Sequence, residues 1–232
     1  AEKAAHAARA AGFTNLNVDL MAGLPGQRLE DLMDSVRWAA AQAVTHVSLY
    51  SLIVEQGTPL LEDVVAGKVV LPTDDEERSA YHAARQALEA AGYARYEISN
   101  YARPGYACQH NLLVWRGGMY LGFGCAAASR WGNCRYRNPS TLAGYGGRQP
   151  LEEVEALYPA ASAFEAVMLA LRLTEGLDLA AHAAQSGRPL PQERIQRLCQ
   201  EGLAQVTQGR LRLTTRGLDV QNSVLLYLLD DG

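Results

Sequence analysis

The feature that most restricts what this chain can become is an alternation of strand and helix patterns through its first hundred residues. The stretch "LNVDLMAG" reads as a strand closed by the turn residues of "GLPGQ", and "LEDLMDSVRWAAAQA" then sets Leu29, Leu32, Met33, Val36 and Ala40 at helical spacing. "HVSLYSLI" is a second strand. After the loop "VEQGTPLLEDVVAGKVVLP", an acidic start at Thr73, Asp74 and Asp75 caps a helix that runs to about Ala91, where Gly92 stops it. "YARYEIS" is a third strand. Strands separated by helices pair in parallel, so this half belongs to an α/β sheet or barrel.

The strand faces sharpen that expectation. Leu16, Val18 and Leu20 share one side of the first strand, and Asn17, Asp19 and Met21 the other. Val47 and Leu49 oppose Ser48 and Tyr50, and Tyr96 and Ile98 oppose Arg95, Glu97 and Ser99. One greasy and one polar face per strand suits a barrel-like sheet with a wet interior. Three strands cannot close a barrel, and an eight-stranded one takes about 250 residues, so further strands are expected upstream. The opening "AEKAAHAARAAG" is alanine-rich and lacks an initiating methionine, which reads as the middle of a domain rather than its start.

Composition excludes some classes. A chain of 232 residues with 48% hydrophobic residues can bury a proper core, and no apolar run approaches the length of about 18 residues that a membrane helix needs. With no apolar signal core at the start, a cytoplasmic location is expected. The net charge of −4 attracts neither nucleic acid nor an anionic membrane. Cys108, Cys125, Cys134 and Cys199 form no C-x-x-C pair and read as plain thiols in a reducing compartment; a mixed metal site from Cys108, His110, Cys125 and Cys134 fits no standard spacing.

From about Tyr101 to Gly147 periodicity fades and glycines and aromatics accumulate, as in a loop-rich site. A second unit begins near Leu151, with helices over "ASAFEAVMLALRL", "DLAAHAAQ" and "PQERIQRLCQEG". A hairpin at Gly209 between "LAQVTQ" and "RLRLT" and a final helix over "TRGLDVQNSVLLYLL" follow, the order of a winged-helix-like module. Domains of 1–150 and 151–232 are therefore expected. Residues 188–216 hold six arginines against Glu193 and Glu201, a local charge of +4 that supports DNA binding only if it is not simply a solvated face.

Asp19 is the first candidate site residue. A carboxylate in an apolar strand needs a partner: either an internal salt bridge, for example to a barrel arginine, or the hydroxyls of a ribose near the C-terminal end of a parallel strand. "GLPGQ" allows backbone amides to approach an anion, yet it lacks both the G-x-x-x-x-G-K-[ST] and the G-x-G-x-x-G spacing. His110, next to Asn111 and five residues before Trp115, is the histidine in the most site-like surroundings; His46 and His182 sit in a strand and a helix. Tyr50, Trp115, Tyr120 and Trp131 read as core or pocket walls.

Taken together, "NVDLMAGLPGQRLEDL", "HVSLYSLIVEQGTPL", "YARYEISNYARPGYACQHNLLVWRGGMYLGFG" and "LRLTEGLDL" resemble successive blocks of the HemW-type radical S-adenosylmethionine proteins, haem chaperones related to the oxygen-independent coproporphyrinogen oxidases. The resemblance runs through nearly the whole chain. It implies the last part of an incomplete six-stranded (β/α) radical SAM barrel followed by the winged C-terminal domain. The cluster-binding C-x-x-x-C-x-x-C loop of that family lies upstream of this sequence, so no ligand of a 4Fe–4S cluster is expected in the chain. By the same match Asp19 contacts the ribose of S-adenosylmethionine and Ile53 lies against that cofactor. "HNLLVW" resembles the H-N-x-x-Y-W element linked to haem binding, which assigns His110, Asn111 and Trp115 to haem, with His110 as an axial-type ligand. Two departures stand out: Val114 replaces the usual tyrosine, and in "GFGCAAAS" Ala128 replaces a histidine. The expected function is haem delivery by a chaperone that binds haem and S-adenosylmethionine and meets haem-accepting proteins. A porphyrinogen-decarboxylating oxidase is the alternative, and a winged-helix DNA-binding protein the alternative of another class.

Overall fold

The computed structural model describes residues 1–147 and 150–229, without the side chains of Ala160 and Ala161. The chain divides into two compact units, Ala1–Cys108 and Gln109–Gly232.

The N-terminal unit is built from helix α1 (Glu2–Ala10), strand β1 (Asn17–Ala22), α2 (Leu29–Ala41), β2 (His46–Ser51), α3 (Pro59–Val65), α4 (Asp74–Ala90), β3 (Ala94–Arg95) and β4 (Asn100–Ala102). Local chemistry explains the helix limits. Thr73 caps α4 by accepting the Glu76 N–H, while the Glu76 carboxylate takes the Thr73 N–H in return. α3 falls inside the stretch expected to be a loop; its signal is Thr58 at the N-cap followed by Pro59 in the first turn. β1 and β2 pair in parallel, with Asp19 opposite Ser48. The core lies on one face of this pair, where Leu20, Ala22, Val47 and Leu49 meet Leu32, Val36 and Ala39 of α2 and Ala84 and Leu88 of α4. Burying each of these larger aliphatic side chains contributes roughly 1.5–3 kcal/mol.

The third strand departs from the expected parallel barrel order. The sheet runs β1-β2-β4-β3, and both β2–β4 and β3–β4 are antiparallel. The segment read as one strand is a hairpin that reverses between Tyr96 and Asn100. Glu97, expected on a wet face, is fully buried at the bend, where Oε1 accepts from the Ser99 N–H (2.8 Å) and from the Asn100 amide. A side chain that binds the backbone two residues ahead makes a turn in place of continued strand.

The C-terminal unit holds α5 (Gln109–Trp115), β5 (Ala128–Trp131), β6 (Cys134–Arg137), α6 (Leu142–Gly146), β7 (Glu152–Ala156), α7 (Pro159–Ala170), β8 (Leu177–Asp178), α8 (Leu179–Ser186), α9 (Gln192–Gln200), β9 (Ala204–Thr207), β10 (Arg210–Leu213), α10 (Thr215–Asp219) and α11 (Gln221–Leu229). β5-β6-β7 form one antiparallel sheet and β8-β10-β9 another. The domain boundary expected near residue 150 falls between β6 and its partner β7, so the glycine-rich stretch goes with the C-terminal unit. The order α7-β8-α8-α9-β9-β10 is that of a winged helix. Its wing turns at Gln208 (φ 52°) and Gly209 (φ 74°), both left-handed, as a two-residue hairpin between right-twisted strands requires. The final helix breaks at Val220 into α10 and α11.

Candidate functional site

Asp19 keeps its expected side of β1 but not its expected burial. It is exposed along with Asn17 and Met21 on the face away from α2 and α4, and among the described residues it makes no ion pair. A strand covered on one side only leaves its other face open, which is why the carboxylate sits there without a buried cation.

Its rotamer is held by a chain of hydrogen bonds. The Asn17 Nδ2 donates to Asp19 Oδ1 at 2.7 Å, which turns Asn17 Oδ1 towards His46 Nδ1, 2.6 Å away. His46 Nδ1 must then carry the proton, and Nε2 accepts from the Tyr96 hydroxyl at 2.9 Å. Asn17, Asp19, His46 and Tyr96 thus form one directional series, from phenol to carboxylate. A strand histidine alone carries no signal in the sequence; the spacing of Asn17, Asp19 and His46 becomes meaningful only when β1 lies beside β2.

Burial holds the His46 imidazole below the ordinary histidine value of 6.5, against the pull of the Asp19 and Glu97 carboxylates, and burial does the same at His182. Unfolding therefore takes up protons as pH falls below the ordinary histidine value of 6.5, so this contribution to stability is complete above neutrality and is lost as pH falls through and below that value. Urea midpoints at pH 7.5 and 5.5 should differ for the wild type and converge in the His46→Gln/His182→Gln double variant. Equal midpoints in the wild type would contradict this.

Ile53 lies just beyond β2 and is 74% exposed. The "GLPGQ" turn does not cradle an anion. The Gln27 side chain accepts from the Gly23 N–H (3.0 Å) and the Leu24 N–H (3.4 Å) and donates to the Met21 carbonyl (2.9 Å), so those amides are already bonded. Beside this turn lies a cavity of about 740 Å³ lined by Gly23, Leu29, Val70, Leu71, Pro72 and Glu77, among others; neither Asp19 nor Ile53 lines it.

In the C-terminal unit, the element expected to bind haem is a short helix rather than a loop. His110 is exposed at the start of α5, with its ring edge-on to Tyr120 at 6.4 Å between centroids. Asn111 is half-buried. Trp115 lies five positions after His110, about 140° around a helix, so the two side chains leave on different sides. The indole sits under the Arg172 guanidinium, 4.3 Å from the ring centroid, and the next residue, Arg116, grips Glu175 through two bonds of 2.9 and 3.0 Å. That guanidinium holds the Glu175 carboxyl below the usual range. Trp115 is thus a peg fixing α5, while His110 is the member of the trio that faces solvent. Val114 is half-buried and Ala128 exposed at the start of β5.

Among the described residues no three His, Cys, Asp or Glu groups come together to hold a metal, and all four cysteines are free thiols. Cys108, His110, Cys125 and Cys134, whose spacing fits no standard metal site, form no such group. Five of the six arginines in residues 188–216 are committed internally: Arg197 to Glu201, Arg194 to the Tyr227 carbonyl, Arg210 and Arg212 to the Glu175 carbonyl, and Arg216 to the Glu201 carbonyl. Cations so engaged make poor phosphate contacts. No helix among the described residues is long and apolar enough to cross a membrane.

These features define a chain of mixed α/β architecture. Residues 157–220 match the HemN C-terminal domain family, and the coproporphyrinogen III oxidase HemN of Escherichia coli, a radical SAM enzyme, shares the fold with a TM-score of 0.74 at 20% identity, over 97% of this chain and 57% of that one. Over almost its whole length the chain is homologous to the HemW haem chaperones. The Mycobacterium tuberculosis HemW is 38% identical over 234 residues, covering 99% of this chain and 59% of that protein. The Bacillus subtilis HemW is 32% identical over 225 residues, covering 94% and 59%. The chain thus spans 59% of the length of these relatives.

Proposed function

We propose that this chain contributes the haem-contacting and nucleoside-contacting surfaces of a HemW-type haem chaperone. The observation that carries the reading is His110: an exposed imidazole at the head of α5, anchored from behind by Trp115 and Arg116, in a chain 38% identical to a haem chaperone. An imidazole on a fixed helix offers iron a ligand whose position does not depend on loop ordering. Haem would be the cargo, and haem-accepting proteins the partners.

The second surface is Asp19. One carboxylate oxygen is steadied by Asn17, and the lone pairs left over accept hydroxyl hydrogens, as the ribose of S-adenosylmethionine requires. Ile53 would supply apolar contact beside it. A 4Fe–4S cluster, which supplies one-electron chemistry in radical SAM proteins, finds no C-x-x-x-C-x-x-C spacing among Cys108, Cys125, Cys134 and Cys199, so no step is assigned to it here.

Haem titration followed at the Soret band tests the reading. The wild type should saturate, His110→Ala should bind at least about tenfold more weakly, and His6→Ala, an exposed histidine on α1, should match the wild type. Equal affinity of the wild type and His110→Ala would remove His110 as the ligand. Equilibrium dialysis with S-adenosylmethionine should likewise show Asp19→Ala losing about tenfold, on the order of one charge-assisted hydrogen bond.

A further inference from the structure

The C-terminal unit contains a cavity that none of the preceding readings uses. It has a volume of about 290 Å³ and lies among α7, α8, Trp115, Arg130 and the start of β10. A second cavity of about 230 Å³ shares Ser162, Ala166, His182 and Gln185 with it. Leu169, Ala170, Leu173 and Leu177 make one side apolar. Both cavities are far larger than a single water requires.

Hydrogen bonding around this space is incomplete in a consistent way. His182 is only 7% exposed, lines both cavities, and among the described residues neither ring nitrogen has a hydrogen-bond partner. Burial keeps it neutral near pH 7, with one N–H to donate and one nitrogen to accept. The Trp115 Nε1–H is buried without an acceptor. The Arg130 side chain, 18% exposed, has no hydrogen bond, and its single ion pair, to Glu165 Oε2, is loose at 3.6 Å. Native proteins leave few buried polar groups unpaired, and the Trp115 indole N–H on this cavity is such a group.

Charge points the same way. Arg116 forms a two-bond pair with Glu175, while Arg210 and Arg130 each have a carboxylate at 3.6 Å, Asp178 and Glu165; Arg210 also donates to the Glu175 and Gly176 carbonyls. Among the described residues Arg130 is the lining arginine that has an ion pair but no side-chain hydrogen bond. A guanidinium, an indole N–H and an imidazole N–H suit an oxyanion acceptor, and the aliphatic wall suits a compact apolar body.

We propose that this cavity binds the carboxylate of a small apolar acid, with Arg130, Trp115 and His182 as donors. The volume is at the small end of ligand sites, too small for a whole tetrapyrrole. A free aryl or short-chain acid and a propionate arm of a larger ligand share the required chemistry. The site stands whether or not His110 binds haem.

The test is an NMR titration of the full chain with 3-phenylpropanoate, following the Trp115 indole N–H and the His182 ring. The expected result is saturable shifts of both, at least tenfold weaker binding of 3-phenylpropanamide, and at least tenfold weaker binding in Arg130→Met. His182→Gln, which leaves the Arg130–Glu165 pair untouched, should weaken binding as well and keeps the test decisive if Arg130→Met does not fold. Equal affinity for acid and amide, no movement of the Trp115 signal, or wild-type affinity in His182→Gln would each overturn the proposal. Displacement of the bound acid by haem but not by haem dimethyl ester assigns the site to a propionate arm; no displacement by either assigns it to a free acid.

Discussion

Gly176→Ala is expected to lower the stability of the C-terminal unit by about 3 kcal/mol, the sum of a left-handed backbone cost and an overlap cost. Gly176 lies in the turn between α7 and β8 at φ 69°, and a β-carbon there would run into the Leu211 carbonyl and come within 2.7 Å of Arg212 Cγ. Neither obstacle is the free end of a flexible chain: one is backbone of the central strand β10, the other the root of a side chain whose Nε bonds the Glu175 carbonyl. The same turn presents the Glu175 and Gly176 carbonyls to Arg210, so the substitution also disturbs the floor of the small cavity. Urea unfolding followed by the fluorescence of Trp115 and Trp131, in a Trp38→Phe background, isolates this unit. A loss below about 1 kcal/mol would mean that the turn relaxes and the overlap is not rigid.

Glu97→Ala is expected to cost the N-terminal unit about 3 kcal/mol, because two donors lose a charged acceptor at once. Glu97 is fully buried, and its Oε1 serves both the Ser99 N–H and the Asn100 side-chain amide. Alanine leaves the part-buried Ser99 N–H and the buried Asn100 amide without this acceptor. Glu97→Gln retains a carbonyl oxygen in the same place and should lose well under half as much, which separates the role of the acceptor from that of the charge. The hairpin also carries Tyr96 to His46, so Glu97→Ala should change the ¹⁵N shifts of the His46 ring that report which nitrogen is protonated. An unaltered His46 spectrum in a destabilised variant would disconnect the bend from the series behind Asp19.

Much of the framework was legible because it depends on near neighbours. The cap at Thr73, the helical spacing of Leu32 and Val36, and the wing turn at Gly209 all stand where the residues place them. Two elements were missed although their signals were present: Thr58-Pro59 opens α3, and Gly132-Asn133 between "SRW" and "CRYR" is a two-residue hairpin loop joining β5 to β6. The third strand differs from its expected form for another reason. Alternation in "YARYEIS" is compatible with a continuous strand, and only the inward fold of Glu97 onto Ser99 and Asn100 turns the chain back to make β4 antiparallel to β2. At the candidate site, the side of β1 on which Asp19 lies followed from period-two alternation, whereas its exposure depended on what covers that side.

The amino-acid order alone determined where helices begin, where turns reverse and which strand face is apolar, since each of these is decided among residues a few positions apart. Tertiary structure decided that Asn17 meets His46 and that Trp115, Arg130 and His182 border one space. Such meetings join positions tens of residues apart, and their cost in chain entropy is offset only when whole elements pack, so no local pattern can announce them.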